Sequence, residues 1–191
     1  DQFLVGLEPR PSAFGAGVPT ESFAQTRLLR HGDLAALEQT LAGNDDIAAV
    51  LLDPAMHSGG LWGSSRDYLQ GVRDITARHG VLLIFDEVIT GFRLAPGGAQ
   101  QYHGVTPDLV TLAKALGAGE KLAAVAGREA VMRVLDPERP SGTPFVFQSG
   151  TGNDGTSALA AGVAAISLYE ELGRSGDYLR LAALSERLAT G

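Results

Sequence analysis

Two side chains in this sequence stand where chemistry is usually done. One is the carboxylate of Asp86, which ends the run VLLIFDEV, and the other is the amine of Lys114, which ends LVTLAK. Val81, Leu82, Leu83, Ile84 and Phe85 are five apolar residues in a row, too short for a helix. They predict a strand covered on both faces of a sheet. The run from Leu109 to Ala113 predicts a second strand, with Lys114 at its exit. Open α/β sheets bind ligands outside the carboxyl ends of their strands, so Asp86, the adjoining Glu87 and Lys114 face one edge.

A lysine in a partly dry pocket loses its proton readily, and its neutral amine forms Schiff bases with aldehydes. A carboxylate against a ring nitrogen keeps that nitrogen protonated. Pyridoxal phosphate makes both demands, and the two residues permit that chemistry without requiring it. Plainer roles compete, because a lysine at a strand end is ordinarily solvated and Asp86 and Glu87 could cap the next segment. A sharper rival is the nucleotide hydrolase, whose Walker B strand also ends in an acid and holds magnesium. It needs a phosphate loop of the form GxxxxGK[ST], and none occurs in the 191 residues. The nearest approach, Gly117 to Lys121, has Leu122 where a hydroxyl belongs.

Three segments in order, DEVITGFR, PGGAQQYHGVTPDLVTLAKALGAG and FQSGTGNDGTSALAAGVAAI, carry a family resemblance. The chain resembles the class III aminotransferases, which are fold-type I pyridoxal-phosphate enzymes, and within them the glutamate-1-semialdehyde 2,1-aminomutase-like subgroup. The likeness extends from HGDLAALEQTL and IAAVLLDPA to the Gly-Thr segment. It implies that Lys114 binds the cofactor aldehyde and shuttles the substrate proton, and that Asp86 pairs with the pyridine nitrogen. Val88, two residues on in an extended chain, would pack on one ring face. Thr151 in SGTGN would reach the phosphate of a neighbouring subunit, and a Gly-rich loop before a helix is a natural anion site. The activity implied is amino transfer between an amine or amino acid and a keto-acid or aldehyde acceptor, by a cytoplasmic homodimer. An intramolecular version of the same transfer is an aminomutase. A third reading keeps the fold as an interaction scaffold without turnover.

The sequence also departs from the family pattern. Asp53-Pro54 stands where relatives have Glu-Pro, one methylene longer. Ser58, beside His57, stands where relatives often place an asparagine for the cofactor's phenolic oxygen, and its hydroxyl still donates with shorter reach. Glu120 and Lys121 replace small residues after the lysine, so substrate choice is affected more than cofactor binding. The phosphate-wrapping loop, the stacking aromatic and a C-terminal small domain have no counterpart. Residues 1–191 are therefore expected to be the central part of a large cofactor-binding domain.

The elements that must position these groups alternate as strand and helix, and they predict a three-layer α/β domain with a mostly parallel sheet. Residues 6–21, rich in Pro and Gly, predict an irregular segment. Asp33 predicts an N-cap for a short helix with Leu34, Leu37 and Leu41 on one face. A strand at 47–52 follows, then a helix at about 65–79 with Tyr68, Leu69, Val72, Ile75 and Thr76 inward. Gly80 ends that helix. A further strand is expected at 122–126, and a helix from Arg128 through Leu135. Pro137, Pro140 and Pro144 mark a loop. A long helix is expected at about 155–172 with Gly173 as its stop, and a last one near Asp177.

Composition narrows the partners. Fifteen basic and 22 acidic residues leave a formal charge of −7 without a long run of either sign, so nucleic acid and acidic membranes are unfavoured. The chain has no cysteine, hence no disulfide framework and no thiolate metal site. No stretch approaches the apolar length of a membrane span, and no signal-peptide pattern is visible. The four histidines lack the close spacing of a metal motif. His79 at a helix end compensates the dipole, His57 borders the expected pocket, and Arg93 anchors the loop after the acid.

Overall fold

Caps and buried stripes fix the helices of the computed structural model, which describes residues 19–55 and 63–191. Residues up to Asp46 form one unit and Ile47–Gly191 a second. In the first, Asp33 caps α1 (Leu34–Ala42), its carboxylate accepting the Ala36 N–H at 2.8 Å. That bond satisfies a donor the helix start leaves orphaned. Leu37 and Leu41 are buried and Leu34 half-buried. Most of the irregular segment expected at 6–21 lies outside the described residues, and Thr20–Phe23 form a 3₁₀ turn.

The second unit carries an open, mostly parallel sheet. β1 (Ala49–Leu52), β2 (Leu82–Glu87) and β3 (Leu109–Leu112) are parallel neighbours, and β4 (Ala124–Gly127) pairs antiparallel with β3. β1 and β4 start two residues later than their patterns predict, and β4 is exposed along its length as an edge strand. α2 (Arg66–His79) packs on β2. Ser65 caps it by accepting the Tyr68 N–H, and Gly80 ends it at φ 68°. Leu69, Val72, Ile75 and Thr76 are buried, whereas Tyr68 is only half-buried. Burial alternates along β2. Leu83, Phe85 and Glu87 are fully buried, while Leu82, Ile84 and Asp86 are half-buried. The apolar run expected to be covered on both faces is fully covered on one.

Asp108, just before β3, ties the amino ends of the central strands together. Its carboxylate accepts the Leu83 N–H at 2.8 Å and pairs with Arg73 of α2 and Arg128 beyond β4, each at 2.7 Å. Burial would raise this carboxyl, but the Leu83 amide and the Arg128 and Arg73 guanidiniums outweigh it and hold the group below its ordinary value.

After β4 come α4 (Glu129–Met132), a 3₁₀ turn at Arg133–Leu135, α5 (Thr156–Ser175) and α6 (Asp177–Thr190). Gly173 does not stop α5, which runs on to Gly176 at φ 83°. A Cβ at Gly173 would collide with the ring of Pro96, so this glycine answers a packing need and not a capping one. The short helix α3 (Gly98–His103) has no apolar periodicity to announce it.

A candidate active site at the carboxyl edge of the sheet

Asp86 and Lys114 reach the same edge because β2 and β3 are parallel neighbours. Asp86 pairs in register with Thr111, and Lys114 lies two residues past the end of β3. The Asp86 carboxylate is oriented by two donors on one oxygen, the Val88 N–H at 3.1 Å and the Thr111 hydroxyl at 3.3 Å. Both bonds use Oδ1, and among the described residues no hydrogen bond reaches Oδ2 of this half-buried carboxylate. Thr111 was legible only as a hydroxyl interrupting the run LVTL.

Glu87 belongs to a different structure. Alternation turns it to the fully buried face, where its carboxylate receives the Ala99 and Gln100 N–H groups, the Thr90 hydroxyl and the Gln100 side-chain amide. Gly98, at φ 70°, lies so close that a Cβ there would collide with the Glu87 carboxylate. Burial raises the Glu87 pKa above its ordinary value, against the lowering effect of these donors. The acid pair thus divides, Asp86 toward the site edge and Glu87 into the loop that follows.

Val88 lies beyond the end of β2, in a turn, so the alternation expected to carry it to the side of Asp86 stops one residue short. What the structure shows of Val88 is its backbone N–H on the Asp86 carboxylate. The turn continues to Phe92, a non-glycine residue at φ 62°, and the exposed Arg93 is held through its backbone N–H on the Thr90 carbonyl.

Lys114 itself has φ 47°, in the left-handed region that is costly for a side chain of this kind. It opens a 3₁₀ turn, Lys114–Gly117, whose Leu116 and Gly117 are buried while the lysine is exposed. The partly dry pocket expected around the amine is not supplied by the described residues. α5 packs on this turn. A Cβ at Gly162 would approach the Leu122 side chain to 2.5 Å, and Tyr169 donates its hydroxyl to the Ala115 carbonyl at 2.9 Å. Tyr169 also stacks on Phe92, with centroids 5.3 Å apart, and Tyr178 of α6 donates to the Phe92 carbonyl at 2.8 Å. Burial, then the neighbouring Tyr169, raises the Tyr178 pKa. The sequence gives no sign of either role, because nothing local distinguishes Tyr169 in the Ala-rich α5, or Tyr178 in α6, from filler.

Thr151 sits in an exposed turn before α5. Asp53 folds back on its own backbone, accepting the Ala55 N–H at 3.0 Å. His57 and Ser58 lie outside the described residues. No group of three or more metal-ligating side chains occurs among the described residues, and none of their helices is long and apolar enough to cross a membrane.

Comparison with known proteins places this arrangement. The structure is similar to an omega-transaminase from Sphaerobacter thermophilus, with a TM-score of 0.77 and 35% identity over 95% of this chain and 42% of that one. It is also similar to a glutamate-1-semialdehyde aminomutase from Pseudomonas aeruginosa in complex with PMP, with a TM-score of 0.68 and 33% identity over 82% of this chain and 36% of that one. The fold is therefore that of the pyridoxal-phosphate-dependent aminotransferases. The family model described as Aminotransferase class-III matches residues 13–181, and the chain belongs to that family. Among sequence relatives, the glutamate-1-semialdehyde 2,1-aminomutase of Akkermansia muciniphila is 40% identical over all of this chain and 44% of its own length. That of Neisseria gonorrhoeae (strain NCCP11945) is 39% identical over 92% of this chain and 40% of its own. The chain spans about two fifths of the length of these relatives.

Proposed function

We propose that the chain is the lysine-bearing part of a pyridoxal-phosphate enzyme that moves an amino group between an amine or amino acid and a keto-acid or aldehyde. The observation that supports this most is the placement of Asp86 on β2 and of Lys114 just past the end of its parallel neighbour β3, at one sheet edge. The donor set fits the cofactor. Asp86 has one oxygen occupied by Thr111 and Val88 and, among the described residues, no partner on the other, as suits a carboxylate facing a ring N–H. Pyridoxal phosphate, when bound, supplies an electron-poor ring that stabilises negative charge at the substrate's α-carbon.

The residues of the chain do the rest. Asp86 holds negative charge where the pyridine nitrogen would lie, keeping it protonated. Lys114 engages the cofactor aldehyde through Nζ and, once released, takes a proton from the substrate carbon and returns it at the acceptor position. Val88 would cover one face of the ring. Ser58 would donate to the phenolic oxygen, and Thr151 would donate to a phosphate held by a second copy of the chain. A cytoplasmic homodimer acting on small molecules, with neither nucleic acid nor membrane as partner, completes this reading; a chain without cysteine suits a reducing compartment.

The sequence relatives favour a second reading, in which donor and acceptor are one molecule and the net reaction is that of an aminomutase. Asp53 and the segment around Ser58 depart from that subgroup, which favours the broader transfer.

The test is an absorbance spectrum of the protein with pyridoxal phosphate, repeated for Lys114→Ala and after borohydride reduction. A visible band that reduction converts to a permanent adduct on Lys114, and that Lys114→Ala lacks, is the expected result. A folded protein without such a band would overturn the proposal in favour of the scaffold reading.

A further inference from the structure

We infer that Tyr169 is a positioning residue for Lys114, acting through the backbone of the lysine's own turn. Lys114 occupies left-handed backbone that a lysine avoids unless its surroundings hold it there. The turn's short backbone bonds, Leu116 N–H to Ala113 at 3.0 Å and Ala118 N–H to Ala115 at 3.2 Å, are local and cannot anchor it to the rest of the fold. Anchoring comes from α5. The Tyr169 hydroxyl donates to the carbonyl of Ala115, the residue next to the lysine, across 54 positions of sequence. The same ring stacks on Phe92, which is also held at positive φ, in the turn that follows Asp86. One side chain therefore touches two of the turns that leave the carboxyl edge, the one after the carboxylate and the one bearing the amine. Gly162, about two turns nearer the start of α5 on the same face, lets the helix pack closely on Leu122 and the Leu116 carbonyl beside this turn. A tyrosine at this point converts the rigidity of a 20-residue helix into a fixed direction for the lysine.

This assignment rests on the proposed role of Lys114, and two readouts keep the two separable. The first needs no cofactor and compares hydrogen exchange in Tyr169→Phe with wild type. Loss of one such bond opens the segment 113–119 roughly three- to tenfold more often, while 82–87 is unchanged and the exposed-site control Tyr102→Phe behaves as wild type. Equal change in both segments, or none in 113–119, overturns the inference. The second readout is the pH profile of pyridoxal phosphate captured by borohydride on Lys114, with Lys121, the other lysine of this chain, as internal reference. Tyr169→Phe is expected to lower the ratio of Lys114 to Lys121 capture roughly threefold or more across the profile, and an unchanged ratio overturns the inference. Wild-type Lys114 capturing no more than Lys121 would instead remove the proposed function, and the exchange comparison would still decide the role of Tyr169.

Discussion

At the scale of single residues, two adjacent acids meet opposite fates because a strand turns successive side chains to opposite faces. Glu87 is enclosed by four donors, and Asp86 has one oxygen without a hydrogen bond among the described residues. Glu87→Ala should destabilise the fold by roughly 1–3 kcal/mol for each buried amide left unpaired, measured by chemical denaturation. Its pH dependence has a definite sign. The folded pKa is raised above the ordinary 4.5, so its contribution is fully present below that value and is lost as pH rises through the folded pKa. The stability advantage of wild type over Glu87→Gln should therefore be greatest in acid and shrink as pH rises. An advantage that grew with pH would contradict the burial argument.

At the scale of elements, the site depends on register, and Asp108 fixes it from the far end of the sheet. Its carboxylate bonds β2 through the Leu83 N–H and draws in α2 and the end of β4. A slip of one residue between β2 and β3 would exchange the faces of Asp86 and Glu87. Asp108→Ala, which leaves two guanidiniums and an amide unpaired, should cost about 3–5 kcal/mol. Arg128→Ala should cost under about 1 kcal/mol, because that side chain is 64% exposed. The Asp108 pKa is depressed, so its contribution is present above the ordinary 3.8 and is lost as pH falls through the folded value. Denaturation at descending pH should show the wild-type advantage over Asp108→Asn vanishing, the reverse of the Glu87 trend. α5 is the other decisive element, and Gly162→Leu should loosen the lysine turn by driving a side chain into Leu122.

At the scale of the whole molecule, the proposed role of Thr151 makes a symmetry prediction. If its hydroxyl serves a second copy, co-expressing Lys114→Ala with Thr151→Ala yields mixed dimers in which one site has both residues intact. Cofactor capture on Lys114 should then be recovered in the mixture although Lys114→Ala alone has no lysine at that position to capture it and Thr151→Ala binds roughly ten- to a hundredfold more weakly, as a lost bond to a charged phosphate implies. No recovery would mean that Thr151 acts within its own subunit or not at all.

The sequence by itself determined the local features of this protein. The Asp33 cap, the Gly80 stop and the apolar runs of β2 and β3 are written in neighbouring residues, and the exits of those runs identify Asp86 and Lys114. Each is decided by steric and hydrogen-bonding rules that act over a few positions. Only the tertiary structure decided that Glu87 is sealed under Gly98, that Gly173 serves Pro96 instead of ending a helix, and that Asp108 and Tyr169 hold the two ends of the sheet. Those outcomes depend on distant contacts such as Tyr169 with Ala115, 54 positions apart, and Gly173 with Pro96, which is farther still, and no local pattern specifies which distant group will arrive to satisfy a buried carboxylate or a strained turn.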